Sequence, residues 1–163
     1  MPHGGYAADT TVSEEKTRAE IETILGRHGA THRAIATDED AHLAQIAFVI
    51  RGRRYRLHVP LPVSVCEPGK EPRGWWMWDH DRRQQWLSKQ NAQERRARWR
   101  AVLLMLKAKL EWVHLGASSV EKEFLADMVL ANGATMHVAV AQAIKHGLET
   151  GKAPILVLPE TVG

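Results

Sequence analysis

The chain has one cysteine, two tyrosines, two phenylalanines and no long hydrophobic run. The single cysteine, Cys66, excludes an internal disulfide and is typical of a protein in a reducing cytoplasm. No segment approaches the roughly 18 consecutive apolar residues of a membrane-spanning helix. The opening residues MPHGGYAADTTV lack the charged start and apolar core of a signal peptide, so we expect a cytoplasmic location.

Motifs of common enzyme classes are also missing. The sequence contains no P-loop, GxGxxG, GxSxG or HExxH pattern. Nine histidines are present, but the paired ligand spacing of a zinc site is not, and Asp79-His80-Asp81 has no partner motif. Glu123 and Asp127, four residues apart, are interpreted as a solvated acidic face. We therefore predict a non-enzymatic protein with no catalytic residues, no metal and no cofactor.

Length and composition indicate one globular domain. The chain has 163 residues, of which 44% are hydrophobic and 25% are charged. These values are ordinary for a folded protein, and a chain of this size can bury about two-thirds of its unfolded surface.

The net charge of +3 is unevenly distributed along the chain. Residues 1–50 hold four Lys/Arg and eight Asp/Glu, residues 51–109 hold fifteen and five, and residues 110–163 hold three and six. The middle segment thus carries a balance of +10, which would attract polyanions. Alternatively, the acidic flanks fold over the basic middle and neutralise it.

The N-terminal half predicts a helix followed by a three-stranded antiparallel meander. Ser13 is a suitable N-cap for a helix that ends near Arg27. Apolar and β-branched runs predict strands over residues 33–37, 42–50 and 53–59. Arg51-Gly52 forms the tight turn between the last two strands. Alternation in the third strand puts apolar and basic side chains on opposite faces, namely Tyr55, Leu57 and Val59 against Arg54, Arg56 and His58.

The C-terminal half is predicted to be helical. A long helix is expected over about 91–115, a second from Ser118 to about 130, and a last one over about 135–149. The complete prediction is an α+β fold in which the helix and meander pack on a helical half with one long central helix. Its parts are a flexible arm (1–11), a helix and sheet (12–62), a Trp/Arg-rich connecting segment (63–90), a helical half (91–150) and an extended tail (151–163).

Four segments carry a resemblance to known proteins, namely VSEEKTRAEIETILGRHGA, IAFVIRGRRYRLHVPLP, QERRARWRAVLLMLKAKLEWV and EKEFLADMVL. They resemble small uncharacterised proteins of tailed bacteriophages and prophages. The resemblance covers about residues 12–160 and implies an accessory role in the cytoplasm of a bacterial host. It assigns no activity and no residue role.

The leading functional prediction is sequence-nonspecific binding of single-stranded nucleic acid. Arginine donates paired hydrogen bonds to phosphate, and tryptophan provides a surface for an unpaired base. The candidate phosphate-binding residues are Arg51, Arg53, Arg54, Arg56, Arg82, Arg83, Arg95, Arg96 and Arg100. The candidate aromatic residues are Trp75, Trp76, Trp78 and Trp86.

The alternative prediction is a protein-binding inhibitor or adaptor of a host or phage factor. Tryptophan next to arginine is also the composition of a protein–protein hot spot, and Trp75, Trp76 and Trp78 would carry it. The stripe of the long helix, broadened by Met105 and Trp112, could in addition form a homodimer.

Overall fold

The computed structural model describes residues 10–63, 66 and 69–151, and it confirms the α+β class. The first helix, α1, spans Glu14–Arg27. Its N-cap is Ser13, whose hydroxyl accepts a hydrogen bond from the backbone N–H of Lys16 at 3.3 Å. The N-cap predicted from the sequence is therefore confirmed, and the helix ends at its predicted residue.

Three antiparallel strands follow in the order β1-β2-β3. They span Thr31–Asp38, Leu43–Ile50 and Arg53–Pro60. The turn between β2 and β3 consists of Arg51 and Gly52, with φ angles of 51° and 75°. Two consecutive positive φ angles match the right-handed twist of the strands, and they require glycine or a residue that tolerates the left-handed region.

One face of the sheet forms half of the hydrophobic core. The inward residues of β2 and β3 are fully or almost fully buried: Ala44, Ile46, Phe48, Ile50, Tyr55, Leu57 and Val59. This is the alternation that the sequence predicted. Because successive strand residues point to opposite faces, the register also places the basic residues of β3 on the outer face.

The long helix, α2, spans His80–His114 and is 35 residues long. The prediction that it begins near residue 91 is wrong, since residues 80–90 of the expected connecting segment belong to it. The side chain of Asp79 caps the helix by accepting from the N–H of Arg82 at 2.8 Å. No proline or glycine interrupts the chain before Gly116, so the helix continues for its whole length.

Helices α1 and α2 lie side by side and run in the same direction. Arg95 contacts Glu14 near their N-terminal part, and the rings of His28 and His114 meet at 6.0 Å near their C-terminal ends. The inward stripe of α2 is completely buried: Trp99, Leu103, Leu106 and Leu110. Its opposite side leaves Met105 and Trp112 exposed.

The C-terminal part holds a short helix, α3 (Val120–Glu123), and α4 (Met136–Thr150). The predicted helix from Ser118 to about 130 is wrong in its N-cap, which is Ser119, and in its length. A single 3-10 turn over Leu125–Asp127 replaces the rest of it.

Packing against the sheet accounts for this early helix end. Phe124 is buried against the rings of Phe48 and Tyr55, at centroid distances of 5.7 and 6.0 Å. The backbone then becomes extended, so that Met128 pairs with Tyr55 and the N–H of Val129 donates to the carbonyl of Arg54 at 2.9 Å. The predicted arm and tail lie almost entirely outside the described residues.

Candidate nucleic-acid interface

Arg95, one of the predicted phosphate-binding residues, is held by two carboxylates. Its Nε donates to Glu14 at 3.0 Å and its Nη1 donates to Glu39 at 2.8 Å. Hydrogen bonds to Glu14 and then Glu39 raise the pKa of Arg95, and the bond from Arg95 lowers the pKa of Glu39. Arg95 therefore fastens α1 and the β1–β2 turn to α2.

Two further predicted residues are also ion-paired. Arg100 donates to Glu20 at 3.0 Å, and Lys107 pairs with the same carboxylate. The hydrogen bond from Lys107 is the main cause that lowers the pKa of Glu20. Arg53 lies 4.0 Å from Glu121. The acidic flanks of the sequence thus neutralise part of its basic middle.

The outer face of the sheet carries a second group of predicted residues. Arg54 and His58 are exposed there, and Arg56 is half-buried between them. Arg56 donates to the carbonyl of Gly133 at 2.7 Å. In the part of the chain that the structure describes, no carboxylate lies within 4 Å of Arg54 or Arg56.

The four candidate tryptophans lie together at the N-terminal end of α2. Trp75 packs against Trp78 and Trp86, with both centroid distances 5.5 Å. Trp76 and Met77 occupy the same 3-10 turn, Trp75–Met77, and their side chains point outward, 74% and 80% exposed. Three indoles thus form a small satellite core that holds the fourth in solvent.

Two arginines border this satellite core. The guanidinium of Arg82 lies over the ring of Trp78 at 4.4 Å, and that of Arg83 lies over Trp75 at 5.4 Å. Arg83 also donates to the carbonyls of Trp75 and Trp76 at 3.2 and 3.3 Å. Neither arginine is within 4 Å of a carboxylate among the described residues. We call these six residues the Trp/Arg cluster: Trp75, Trp76, Trp78, Arg82, Arg83 and Trp86.

The predicted arginines do not form one surface. Arg98 donates to the carbonyl of Pro60 at 2.7 Å, which aligns the end of β3 with the middle of α2. Arg54 lies six residues back along β3, about 20 Å away, and Arg82 lies sixteen residues back along α2, about 24 Å away in the opposite direction. The Trp/Arg cluster and Arg54 on the outer sheet face are therefore about 40 Å apart.

The two remaining candidates belong to neither group. Arg51 occupies the β2–β3 turn, where it lines a cleft together with Arg27 and His114 near the C-terminal end of α2. Arg96 is half-buried and donates to the side chain of Gln93. Its Nε has no hydrogen-bond partner among the described residues.

A cleft that the sequence did not reveal lies beside the Trp/Arg cluster. Its volume is about 350 Å³, and it is lined by the segment Leu61–Val63, by Cys66 and Lys70, and by one face of α2. Every fourth residue of α2 contributes to it, namely Trp86, Gln90, Glu94 and Arg98. The i, i+4 spacing of these residues could have indicated from the sequence that they share one face of a helix. It does so only if the helix is taken to begin at His80.

The comparisons with known proteins identify no relative. No protein-family model, no curated protein and no solved structure matches the chain. Within the described residues, no helix combines the length and apolar character needed to cross a membrane, and no three metal-ligating side chains come together.

Proposed function

We propose that this chain binds single-stranded nucleic acid through the Trp/Arg cluster. The observation that carries the proposal is the position of Trp76, which is 74% exposed on a turn supported by three packed indoles. Arg82 and Arg83 follow Trp76 by six and seven residues in the sequence. Neither has a carboxylate partner among the described residues. An unpaired base stacks on Trp76, and the neighbouring phosphates of the strand contact the guanidinium groups of Arg82 and Arg83.

The physical basis is the combination of stacking and charge. Stacking of a base on an aromatic side chain contributes about 1–3 kcal/mol, with little dependence on base identity because every base has a π face. A duplex offers no unpaired base to Trp76, so the cluster favours single strands. The turn is already ordered by the carbonyl contacts of Arg83, which reduces the entropy lost on binding.

The outer sheet face extends the proposal to longer strands. Arg54 and Arg56 lie about 40 Å from the cluster, so only a strand long enough to span that distance contacts both regions. A short oligonucleotide reaches only the cluster, and a longer strand contacts both regions. We place this activity in a non-enzymatic accessory protein of a phage or prophage, acting in the cytoplasm of its bacterial host.

The test is a titration of fluorescent single-stranded and duplex oligonucleotides at about 50 and 200 mM salt. The proposal predicts tighter binding of the single strand and a steep loss of affinity with salt, about −0.7 in logarithmic slope per neutralised phosphate. The substitution Arg82→Gln should reduce that slope by about 0.7, whereas Lys145→Gln on α4 should not change it. Binding that does not depend on salt, or no binding at low salt, would overturn the proposal.

A second candidate function is supported by Trp76 and Met77 together. Two large exposed side chains on an ordered turn are typical of a protein–protein hot spot, which would suit an inhibitor or adaptor of a host or phage protein. The exposed side of α2, with Met105 and Trp112, would then be available for a homodimer. In this case Trp76→Ala would release the partner, and Arg82→Gln would have little effect.

A further inference from the structure

The cleft beside the Trp/Arg cluster presents four different chemical groups in a row. Trp86, Gln90, Glu94 and Arg98 succeed one another at intervals of about 6 Å along α2. They provide an aromatic face, an amide, a carboxylate and a guanidinium.

We propose that this cleft holds one nucleotide of the bound strand and prefers guanine, an inference that rests on the proposed function. The volume of about 350 Å³ lies in the range of small-ligand pockets. Trp86 is half-buried and forms part of both the cleft and the satellite core of tryptophans. A base beside Trp86 can therefore belong to the same strand as a base that stacks on Trp76.

The arginine at the other end of the row suits a phosphate. Arg98 is exposed, and its Nη1 is held by the carbonyl of Pro60 at 2.7 Å. This bond fixes the direction of the guanidinium plane without neutralising its charge. In the described part of the chain, no carboxylate lies within 4 Å of it, and this includes Glu94 in the preceding turn.

The carboxylate of Glu94 determines the base preference. An ionised carboxylate only accepts hydrogen bonds, so it favours the base edge that offers most donors. Guanine presents N1–H and its N2 amino group side by side, adenine and cytosine present one amino group, and uracil or thymine presents one N–H between two carbonyl oxygens. These groups lie on the Watson–Crick edge, at which unpaired bases are commonly recognised.

The test compares an oligothymidine with one that contains a single central guanine, and also measures guanosine, adenosine, cytidine and uridine monophosphates. Intrinsic tryptophan fluorescence reports binding because Trp86 forms one wall of the cleft. The inference predicts about tenfold tighter binding of the guanine-containing strand, as for other two-point base contacts. Glu94→Gln should remove this preference, and Glu111→Gln, at an exposed position of the same helix, should retain it.

The outcomes separate the two proposals. Salt-dependent binding of both strands with equal affinity, unchanged by Glu94→Gln, would overturn the guanine cleft and leave the strand-binding function standing. Binding of guanosine monophosphate without binding of either strand would overturn the strand-binding function and retain the cleft as a site for a free nucleotide. Stronger binding of the oligothymidine than of the guanine-containing strand would also overturn the cleft assignment.

Discussion

Arg95 and Glu14 form a two-point ion pair, with Nε–Oε2 and Nη2–Oε1 distances of 3.0 and 3.2 Å. This contact joins α1 to α2 and removes one arginine from the group expected to bind phosphate. Apart from Arg51 and Arg96, the candidates without a carboxylate partner among the described residues lie at the outer sheet face and at the N-terminal end of α2. The ion pair thus helps to define where the charge of this protein is available.

Replacing Arg95 by alanine should destabilise the fold without weakening oligonucleotide binding. The change removes the hydrogen bonds of Arg95 to Glu14 and Glu39, and Glu14 keeps only its ion pair with Arg18 at 3.5 Å. Hydrogen bonds to charged groups contribute about 1.5–3 kcal/mol each. We expect a loss of about 1–3 kcal/mol in the free energy of unfolding, measured by urea denaturation. Arg82→Ala is the control and should change stability little. A weaker oligonucleotide affinity in folded Arg95→Ala would contradict the internal role.

Glu20 should stabilise the protein only above acidic pH. Its pKa is lowered from 4.5, chiefly by the hydrogen bond from Lys107, so the unfolded state takes up a proton at a higher pH than the folded state. The contribution is complete above pH 4.5 and is lost as the pH falls through the folded pKa. Because the side chain is 37% exposed, we expect Glu20→Gln to cost less than about 1 kcal/mol at pH 7.

The pH dependence of this variant provides the check. Urea denaturation of the wild type and Glu20→Gln should show their difference at pH 7 and a smaller difference at pH 3.5. A difference that grows on acidification would mean that the folded pKa of Glu20 is raised and that the ion pairs with Arg100 and Lys107 are absent.

Phe124 should anchor the C-terminal part to the sheet. It is fully buried, and besides Phe48 and Tyr55 its ring contacts the ammonium of Lys109 at 4.9 Å. Phe124→Ala should cost about 3–5 kcal/mol in unfolding free energy. Trp112→Ala removes a larger but exposed aromatic and should cost less than about 1 kcal/mol. Similar costs for the two variants would place Phe124 outside the core.

Arg51 occupies a backbone position that suits asparagine better. Its φ of 51° lies in the left-handed region, which costs most L-residues about 1–2 kcal/mol and asparagine less. Arg51→Asn should therefore increase the free energy of unfolding by about 0.5–1 kcal/mol. The urea midpoint should rise, and the slope of the unfolding free energy against urea concentration should not change. Arg53→Asn, at extended backbone in β3, should give no such gain. An unchanged or lower midpoint for Arg51→Asn would show that its side chain makes a compensating contact.

Local signals in the sequence predicted the elements whose cause is local. The cap at Ser13, the Arg51-Gly52 turn and the alternation around Tyr55 each depend on a few neighbouring residues, and each is confirmed. The start of α2 also had a local signal, the cap at Asp79. It was obscured because residues 80–90 lie beyond the main core and lack the apolar stripe of a helix packed on it.

Features that depend on distant parts of the chain could not be predicted. The carboxylate partners of Arg95 and Arg100 lie 56 to 81 positions away in the sequence, so charge counting revealed the balance of the segments and not the pairs. The short length of α3 also depends on distant residues, because contacts with the sheet fix the positions of Phe124 and Met128. The cleft required both the extended α2 and the return of Leu61–Val63 along it.

The proposed interface is tested most directly by comparing two exposed tryptophans, Trp76 in the turn before α2 and Trp112 on α2 itself. Single-stranded oligonucleotide is titrated into the wild type, Trp76→Ala and Trp112→Ala, with urea denaturation to verify that both variants remain folded. If a base stacks on Trp76, Trp76→Ala lowers affinity at least about fivefold, the lower limit for one stacked base, and Trp112→Ala leaves it unchanged. Equal affinities for the wild type and Trp76→Ala would contradict the proposed interface.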